Sequence, residues 1–454
     1  MAIRRIILIG VSLIAALTLL AASLRAQPNA APEPPEKWTI VRCGHLIAIP
    51  GKPPLTNATL FIKNGLIEGV VENYADRALT PYPMNPAATV QRIDLADRWV
   101  APGLIDCHVH ITHETSADQR LKAMTDSDAD SALDGVVYAR RTLQAGFTTV
   151  RDLGARGDAV FALRDAILDG KVPGPRILAA GAAISATGGH GDPANGYRRD
   201  IWSVLASSAI ADNPDEARKA VRTQIKRGAD VIKTTATGGV LSNIGAGVEQ
   251  QLFDDELSAI VQTAHLLGKR VAAHAHGTRG VNAALRAGVD SIEHGTYLDD
   301  ESISLFKKTG AFYVPTITAG KSVAHYALIP GYYPAPVIPK ALAVGPVIQG
   351  AFTKAYKAGV KIAFGTDAGV FPHGENAREF LYMVEAGMTP EQALIAATIT
   401  AAELLNISSD AGTIEKGKSA DLIATAADPR ADISELTRIR FVMRAGVIGK
   451  DDAP

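Results

Sequence analysis

A chain of 454 residues with 47% hydrophobic and 20% charged residues has the balance of an ordinary globular protein, which excludes collagen, a long coiled coil and general disorder. Its formal net charge is −1 and its Lys and Arg are scattered, so no basic stripe could displace counterions from a phosphate backbone, and nucleic acid is not an expected partner. Cys43 and Cys107 are too few for a disulfide framework or a cysteine metal site, so any chemistry rests on other residues.

The amino terminus reads as an export signal. Arg4 and Arg5 precede an uncharged stretch, residues 6–24, and Ala26 ends a small-residue region before the Pro-rich residues 27–35. Residues 1–26 are read as a signal peptide and 27–37 as a Pro-rich linker. A cut after Ser23 is the alternative site, and an uncleaved anchor the alternative reading, because the apolar stretch is just long enough to cross a bilayer. Cleavage would remove Arg4, Arg5 and Arg25 and no acid, moving the net charge from −1 to −4. A periplasmic or secreted protein without membrane attachment is the expectation.

Residues 38–98 carry short apolar runs and turn signals, including Asn64-Gly65, the mark of a hairpin. Residues 412–454 have the same character around 420–424 and 441–446, so the two ends are expected to fold together as a small β-sandwich. Between them, over 99–411, eight β-like runs alternate with helical patterns: 100–108, 148–152, 176–180, 231–235, 271–274, 291–294, 312–316 and 361–365. Eight β/α units predict an α/β protein built on a distorted (β/α)8 TIM barrel. Helices are clearest at 215–227 and 254–267, each opening on Asp, while 184–205 and 319–345 are expected to be loops over the barrel mouth.

In such a barrel, chemistry collects where strands end. The first run ends in His108-Val109-His110, whose period-two alternation turns both imidazoles to one side. The fourth carries Lys233, the fifth His274, the sixth His294, and Asp367 follows the eighth. Neutral imidazoles and a carboxylate suit Zn²⁺ or a similar divalent ion, and a lysine beside two such cations must become an anion. A carbamylated Lys233 bridging two divalent ions satisfies that demand. His276 faces the same way as His274, so spacing alone leaves either as the ligand. Cys107 alternates away from His108 and is read as packing.

At these residues the chain resembles the amidohydrolase superfamily, in the imidazolonepropionase-like branch that includes Xaa-Pro and Xaa-Arg dipeptidases and ochratoxin-hydrolysing amidases. The resemblance runs through Ala101 to His110, Gly146 to Asp152, Thr187 to Asp192 and Val271 to Gly277, and continues at Gly288 to Gly295, Gly365 to Gly369 and Gly412 to Leu422. It implies that His108, His110 and Asp367 hold one metal, that His274 and His294 hold the other, and that carbamylated Lys233 bridges them. His276 is then a substrate-facing group. Two ions would bring a shared water close to ionisation at neutral pH, with Asp367 as general acid and base and His276 or His190 donating to the developing oxyanion.

Specificity is less legible. In the dipeptidase relatives a Tyr and an Arg after the fifth-strand ligand hold the substrate carboxylate; here His276 takes the Tyr place and Arg279 matches the Arg. His190, Tyr197, Arg198 and Arg199 are further candidates for substrate contact. The leading expectation is hydrolysis of an amide bond to a C-terminal amino acid, in N-acyl amino acids, dipeptides or ochratoxin-like Phe amides. A lactone or ester hydrolase on the same centre is the alternative. Lys233 speaks against a cyclic deaminase, and the full ligand set against a metal-free scaffold. The resemblance also implies a homo-oligomer.

Overall fold

The computed structural model describes residues 36–74 and 82–452. The expected signal peptide and most of the Pro-rich linker lie outside the described residues. Among the described residues no helix is long and apolar enough to cross a membrane.

In chain order, β1 (Lys37–Leu46), β2 (Leu55–Lys63), β3 (Leu66–Val71) and β4 (Thr89–Pro102) lead into a β/α series. β5 (Leu104–Val109) is followed by α1 (Gln119–Thr125) and α2 (Asp128–Gln144), β6 (Phe147–Asp152) by α3 (Ala159–Leu168), and β7 (Arg176–Ala179) by a long loop and α4 (Pro214–Arg227). Next come β8 (Ile232–Thr235) with α5 (Asp254–Leu266), β9 (Val271–Ala275) with α6 (Thr278–Ala287), and β10 (Ser291–His294) with α7 (Asp300–Thr309). β11 (Phe312–Val314) precedes α8 (Ile317–Tyr326) and α9 (Ile338–Lys357), and α10 (Arg378–Glu385), α11 (Pro390–Ala396) and α12 (Ile399–Leu405) lead to β12 (Leu422–Thr425), β13 (Phe441–Arg444) and β14 (Val447–Asp451).

The helices start where local chemistry allows. At α4 the Asn213 side chain accepts from the amides of Asp215 and Glu216, Pro214 occupies the first turn, and Gly228 ends the helix at φ +105°. The expected loop 319–345 is instead largely the helices α8 and α9. Gly320, Gly331 and the prolines of this stretch obscure the periodicity, yet Val344, Ile348 and Phe352 bury one face of α9 at four-residue steps.

Both chain ends join one sheet, ordered β14-β13-β12-β4-β1-β2-β3. Asn64 and Gly65 turn β2 into β3 at φ +51° and +84°, as expected of an Asn-Gly hairpin. Laid flat, β2 and β13 would stand about 19 Å apart. A Cβ on Gly65 would nevertheless lie 2.4 Å from the Ala445 carbonyl oxygen, so the turns after β2 and β13 touch and the sheet curls over its own core. Where the sequence reading has two facing sheets, the ladder is continuous, because β4 pairs with β1 along its length and with β12 at Trp99 to Pro102.

The β/α series forms an α/β fold with two parallel sheets, β5-β6-β7 and β11-β10-β9-β8. The expected first run, 100–108, is divided: its first part ends β4, and the chain crosses to β5 at Gly103, whose amide donates to Asp421 O. The eighth run, 361–365, is not a regular strand. It still lies between the sheets, since Ala363 N donates to Tyr313 O at 3.0 Å and Cys107 N to Phe364 O at 2.9 Å. On the other side Ile184 N donates to Lys233 O at 2.8 Å and Asp230 N to Ala179 O at 2.8 Å.

Phe364 stacks at 5.5 Å on Phe147 and meets Phe380 at 4.2 Å in a tilted contact, each ring fully buried and each contributing about 1.5–3 kcal/mol by leaving water. Arg151, 2% exposed, crosses the interior: Nε donates to Cys107 O, NH1 to Ser291 Oγ and NH2 to Glu293 Oε1 at 2.9 Å. One guanidinium thereby ties β5, β6 and β10 beneath the strand ends. Cys107 is fully buried, as expected, and its burial pushes the thiol up.

Candidate metal centre

The period-two rule holds at β5: Val109 is buried in the core, while His108 and His110 present their Nε2 atoms 3.5 and 3.1 Å from Asp367 Oδ1. The ligand atoms of these three residues lie within 4.8 Å of one another. A second triplet, His274, His276 and His294, meets the same limit. The His108 and His294 rings, 5.1 Å apart, connect the two triplets. Lys233 ends in the same cavity, 4% exposed, with no hydrogen-bond partner for Nζ.

Each imidazole is fixed from behind, and the chemistry of that partner decides which nitrogen keeps a lone pair. His108 Nδ1 donates to Glu293 Oε2 at 2.9 Å and His110 Nδ1 to Gly154 O at 2.8 Å, leaving both Nε2 atoms as acceptors. His274 Nε2 faces Gly238 O at 3.3 Å, which leaves its Nδ1. Thr316 spends its hydroxyl proton on Pro315 O, so it accepts from His294 Nδ1 at 2.7 Å and leaves Nε2. His276 and His190 differ. Their Nδ1 atoms meet the hydroxyls of Thr296 at 2.7 Å and Ser242 at 2.6 Å, which can donate and so leave an N–H at Nε2.

Electrostatics favour the same state for His108, His190, His274, His276 and His294, whereas at His110 burial is outweighed by the Asp367 carboxylate, which raises it. Burial lowers His108 and His276 to about 4 and His190 to about 3, and puts His274 and His294 well below the usual value. These rings are therefore neutral at pH 7. Burial would raise the Asp367 carboxyl, but His108, His110 and Lys233 outweigh it and hold it below the ordinary value. Glu293, opposed by burial, is held down to about 2 by Arg151 and His108. Lys233 is lowered by burial to about 8. Non-glycine residues at positive φ, His294 at +71°, Thr316 at +52° and Asp367 at +61°, mark strand ends bent to bring their side chains inward. Neutral lone pairs, an ionised carboxylate and an orphaned buried amine form a donor set that fits divalent ions.

Of the expected site residues, His108, His110, His190, Lys233, His274, His276, His294 and Asp367 line one cavity of about 270 Å³. Arg279 and Tyr197 do not. Arg279 is exposed in the first turn of α6, and Tyr197 is half-buried with its hydroxyl donating to Arg120 O and its ring under the Arg120 guanidinium. Arg198 pairs with Asp200, and Arg199 is exposed in a short 3-10 turn. Sequence reading missed the residues that orient ligands, Glu293, Arg151, Thr296, Thr316 and Ser242. A charged residue inside β6 and β10, short strands expected in the barrel wall, was the available signal for the first two, because a buried charge needs a partner. The far wall of the cavity is apolar, formed by Val240, Leu241, Val323, Val344, Ile348 and Val370.

The amidohydrolase family pattern matches residues 99–449. Ochratoxinase from Aspergillus niger is 35% identical over 439 residues, covering 91% of this chain and 86% of that protein. Among solved structures, a Xaa-Pro dipeptidase with methionine bound in its active site has a TM-score of 0.83 at 41% identity, over 90% of this chain and 99% of that one. The A. niger ochratoxinase structure has a TM-score of 0.78 at 31% identity, over 92% and 96%. This chain is a hydrolase acting on amide or peptide bonds, and it belongs to the amidohydrolase family.

Proposed function

We propose that this hydrolase is exported, holds two divalent ions, Zn²⁺ being the first choice, and cleaves the amide bond to a C-terminal amino acid in an N-acyl amino acid, a dipeptide or an ochratoxin A-like Phe amide. The observation that carries the reading is the pair of clusters, His108, His110 and Asp367 on one side and His274, His276 and His294 on the other, that share a cavity with the buried Lys233, whose Nζ has no hydrogen-bond partner. His108, His110 and Asp367 hold one ion, His274 and His294 the other, and carbamylated Lys233 reaches both. The outer partners favour this division, since the four ligand imidazoles keep lone pairs toward the cavity while His276 and His190 can present N–H groups. When bound, the ions supply Lewis acidity to the scissile carbonyl and to water.

The chain supplies the rest. Asp367, ionised and 3.1 Å from His110 Nε2, takes the water proton and returns it to the leaving amine. His276 and His190 donate from Nε2 to the carbonyl oxygen as its charge develops. The apolar wall receives an uncharged group of the substrate and excludes water from it. The catalytic residues sit on a distorted (β/α)8 barrel, 99–411, whose two strand arcs are bridged by the 361–368 segment, and 38–98 with 412–454 form a separate β unit. The mature enzyme starts after residue 26 and assembles as a homo-oligomer in the periplasm or outside the cell.

A mass-spectrometric product screen of the zinc-loaded enzyme against Xaa-Pro and Xaa-Arg dipeptides, N-acyl amino acids, ochratoxin A and simple lactones tests the activity. Release of a free C-terminal amino acid is expected. Turnover of lactones alone would overturn the amino-acid reading. The intact mass of the exported protein tests the cleavage site.

A further inference from the structure

Beside the apolar wall of the cavity, α9 carries a half-buried lysine that forms no ion pair with a carboxylate among the described residues. Lys340, half-buried on α9, points its Nζ at three backbone carbonyls of the loop after β8: Gly239 O at 3.1 Å, Ser242 O at 2.7 Å and Ile244 O at 3.2 Å. An ammonium has three donors, and all three are used. The same loop supplies Val240 and Leu241 to the apolar wall, and Ser242 holds His190 Nδ1 at 2.6 Å. Lys340, Val344 and Ile348 are spaced four residues apart on α9, so they share one face, and the last two also line the cavity. Besides Lys340, the loop is held by Val240 and Leu241 packed on the core and by Ser242 on His190. A Cβ on Gly239 would lie 2.2 Å from His190 Nδ1, so its backbone passes directly against that ring with no side chain to anchor it.

We propose that Lys340 is a positioning residue: it buckles loop 239–244 onto α9, and thereby sets both the apolar wall that receives the substrate's uncharged group and the orientation of His190. With its donors committed, Lys340 does not bind the substrate carboxylate. The inference builds on the amidase reading for its kinetic readout, but the loop itself can be followed without any substrate.

The test compares Lys340→Met and Lys340→Arg with the parent in the metal-loaded enzyme. Hydrogen exchange of amides 238–247 is expected to be about tenfold faster in Lys340→Met, reflecting the lost charge-assisted bonds, and to recover in part in Lys340→Arg. Bound metal and melting temperature of the barrel should match the parent. KM for an amide with a bulky apolar group should rise about tenfold, more than kcat falls, and equally for a substrate and its carboxyl-blocked counterpart. Unchanged loop exchange would overturn the proposal whatever the activity shows. So would a KM defect confined to the free-carboxylate substrate, which would make Lys340 an anion anchor. If no amide is turned over by the parent, the exchange result still decides the buckle and the failure lies with the amidase reading.

Discussion

The floor and the roof of the cavity are built on different principles. The floor is a set of strand ends whose side chains are held by buried, directional partners: His108 by Glu293, Glu293 by Arg151, His294 by Thr316. The roof is a loop and the helix pair α8 and α9, which offer mainly apolar side chains and hang from a few polar anchors, Lys340 on the loop and Glu379 at the start of α8. A floor of this kind preserves metal-ligand geometry to within a few tenths of an ångström, whereas an apolar roof can change shape without disturbing the ligands. Ligand geometry and the shape of the apolar wall are therefore expected to respond separately, and substitutions on either side should show it.

The largest effects belong to the floor. Lys233→Ala and Asp367→Ala are both expected to remove turnover, by about 10²–10⁴-fold or more for the loss of the general acid and base. Elemental analysis should separate them, with Lys233→Ala compromising both metal positions and Asp367→Ala one. Full turnover in Asp367→Ala would refute the mechanism. Glu293→Gln comes next: His108 loses an ionised acceptor and metal affinity should fall about 10–100-fold. The same change leaves buried Arg151 without its charge partner, at a cost of about 3 kcal/mol read from denaturant unfolding.

The roof should respond through stability and pH. Glu379 accepts from the amides of Ile317 and Thr318, and its burial raises it from 4.5 to about 7. Between those values the native state keeps a proton that the unfolded chain has released, so this stabilising contribution is complete below pH 4.5 and disappears as pH rises through 7. Melting temperature should therefore fall with pH across that window more steeply in the parent than in Glu379→Gln. Parallel curves would remove Glu379 as the source. Arg279→Ala marks the small end of the scale: an exposed residue outside the cavity should shift KM by less than about twofold. A large KM increase would restore Arg279 as a substrate contact and extend the site beyond its floor and roof.

Legibility followed the same division. The ligand candidates were readable because each falls at the end of a short β run, and two of them flank Val109 at the spacing that a pleated strand turns to one side. The roof was not readable: residues 319–345 carry Gly and Pro in a pattern that suggests loop, and packing of α8 against α9 overrides that local signal. Arg279 lies outside the cavity, and counting along the chain from His274 cannot say which way the first turn of α6 faces. The curled seven-stranded sheet depends on β4 running long enough to pair at both ends, a matter of register between segments more than 300 residues apart.

Local periodicity and side-chain chemistry, both properties of neighbouring residues, were enough to read the β/α alternation, the candidate ligands and the family resemblance. The protonation pattern of the imidazoles, the neutralising role of Arg151 beneath them and the closure of the roof depend on contacts across distant parts of the chain, such as Glu293 with His108 or Lys340 with Ser242. Such contacts exist only once burial has removed water as the competing partner, and no linear pattern encodes which buried donor will face which acceptor.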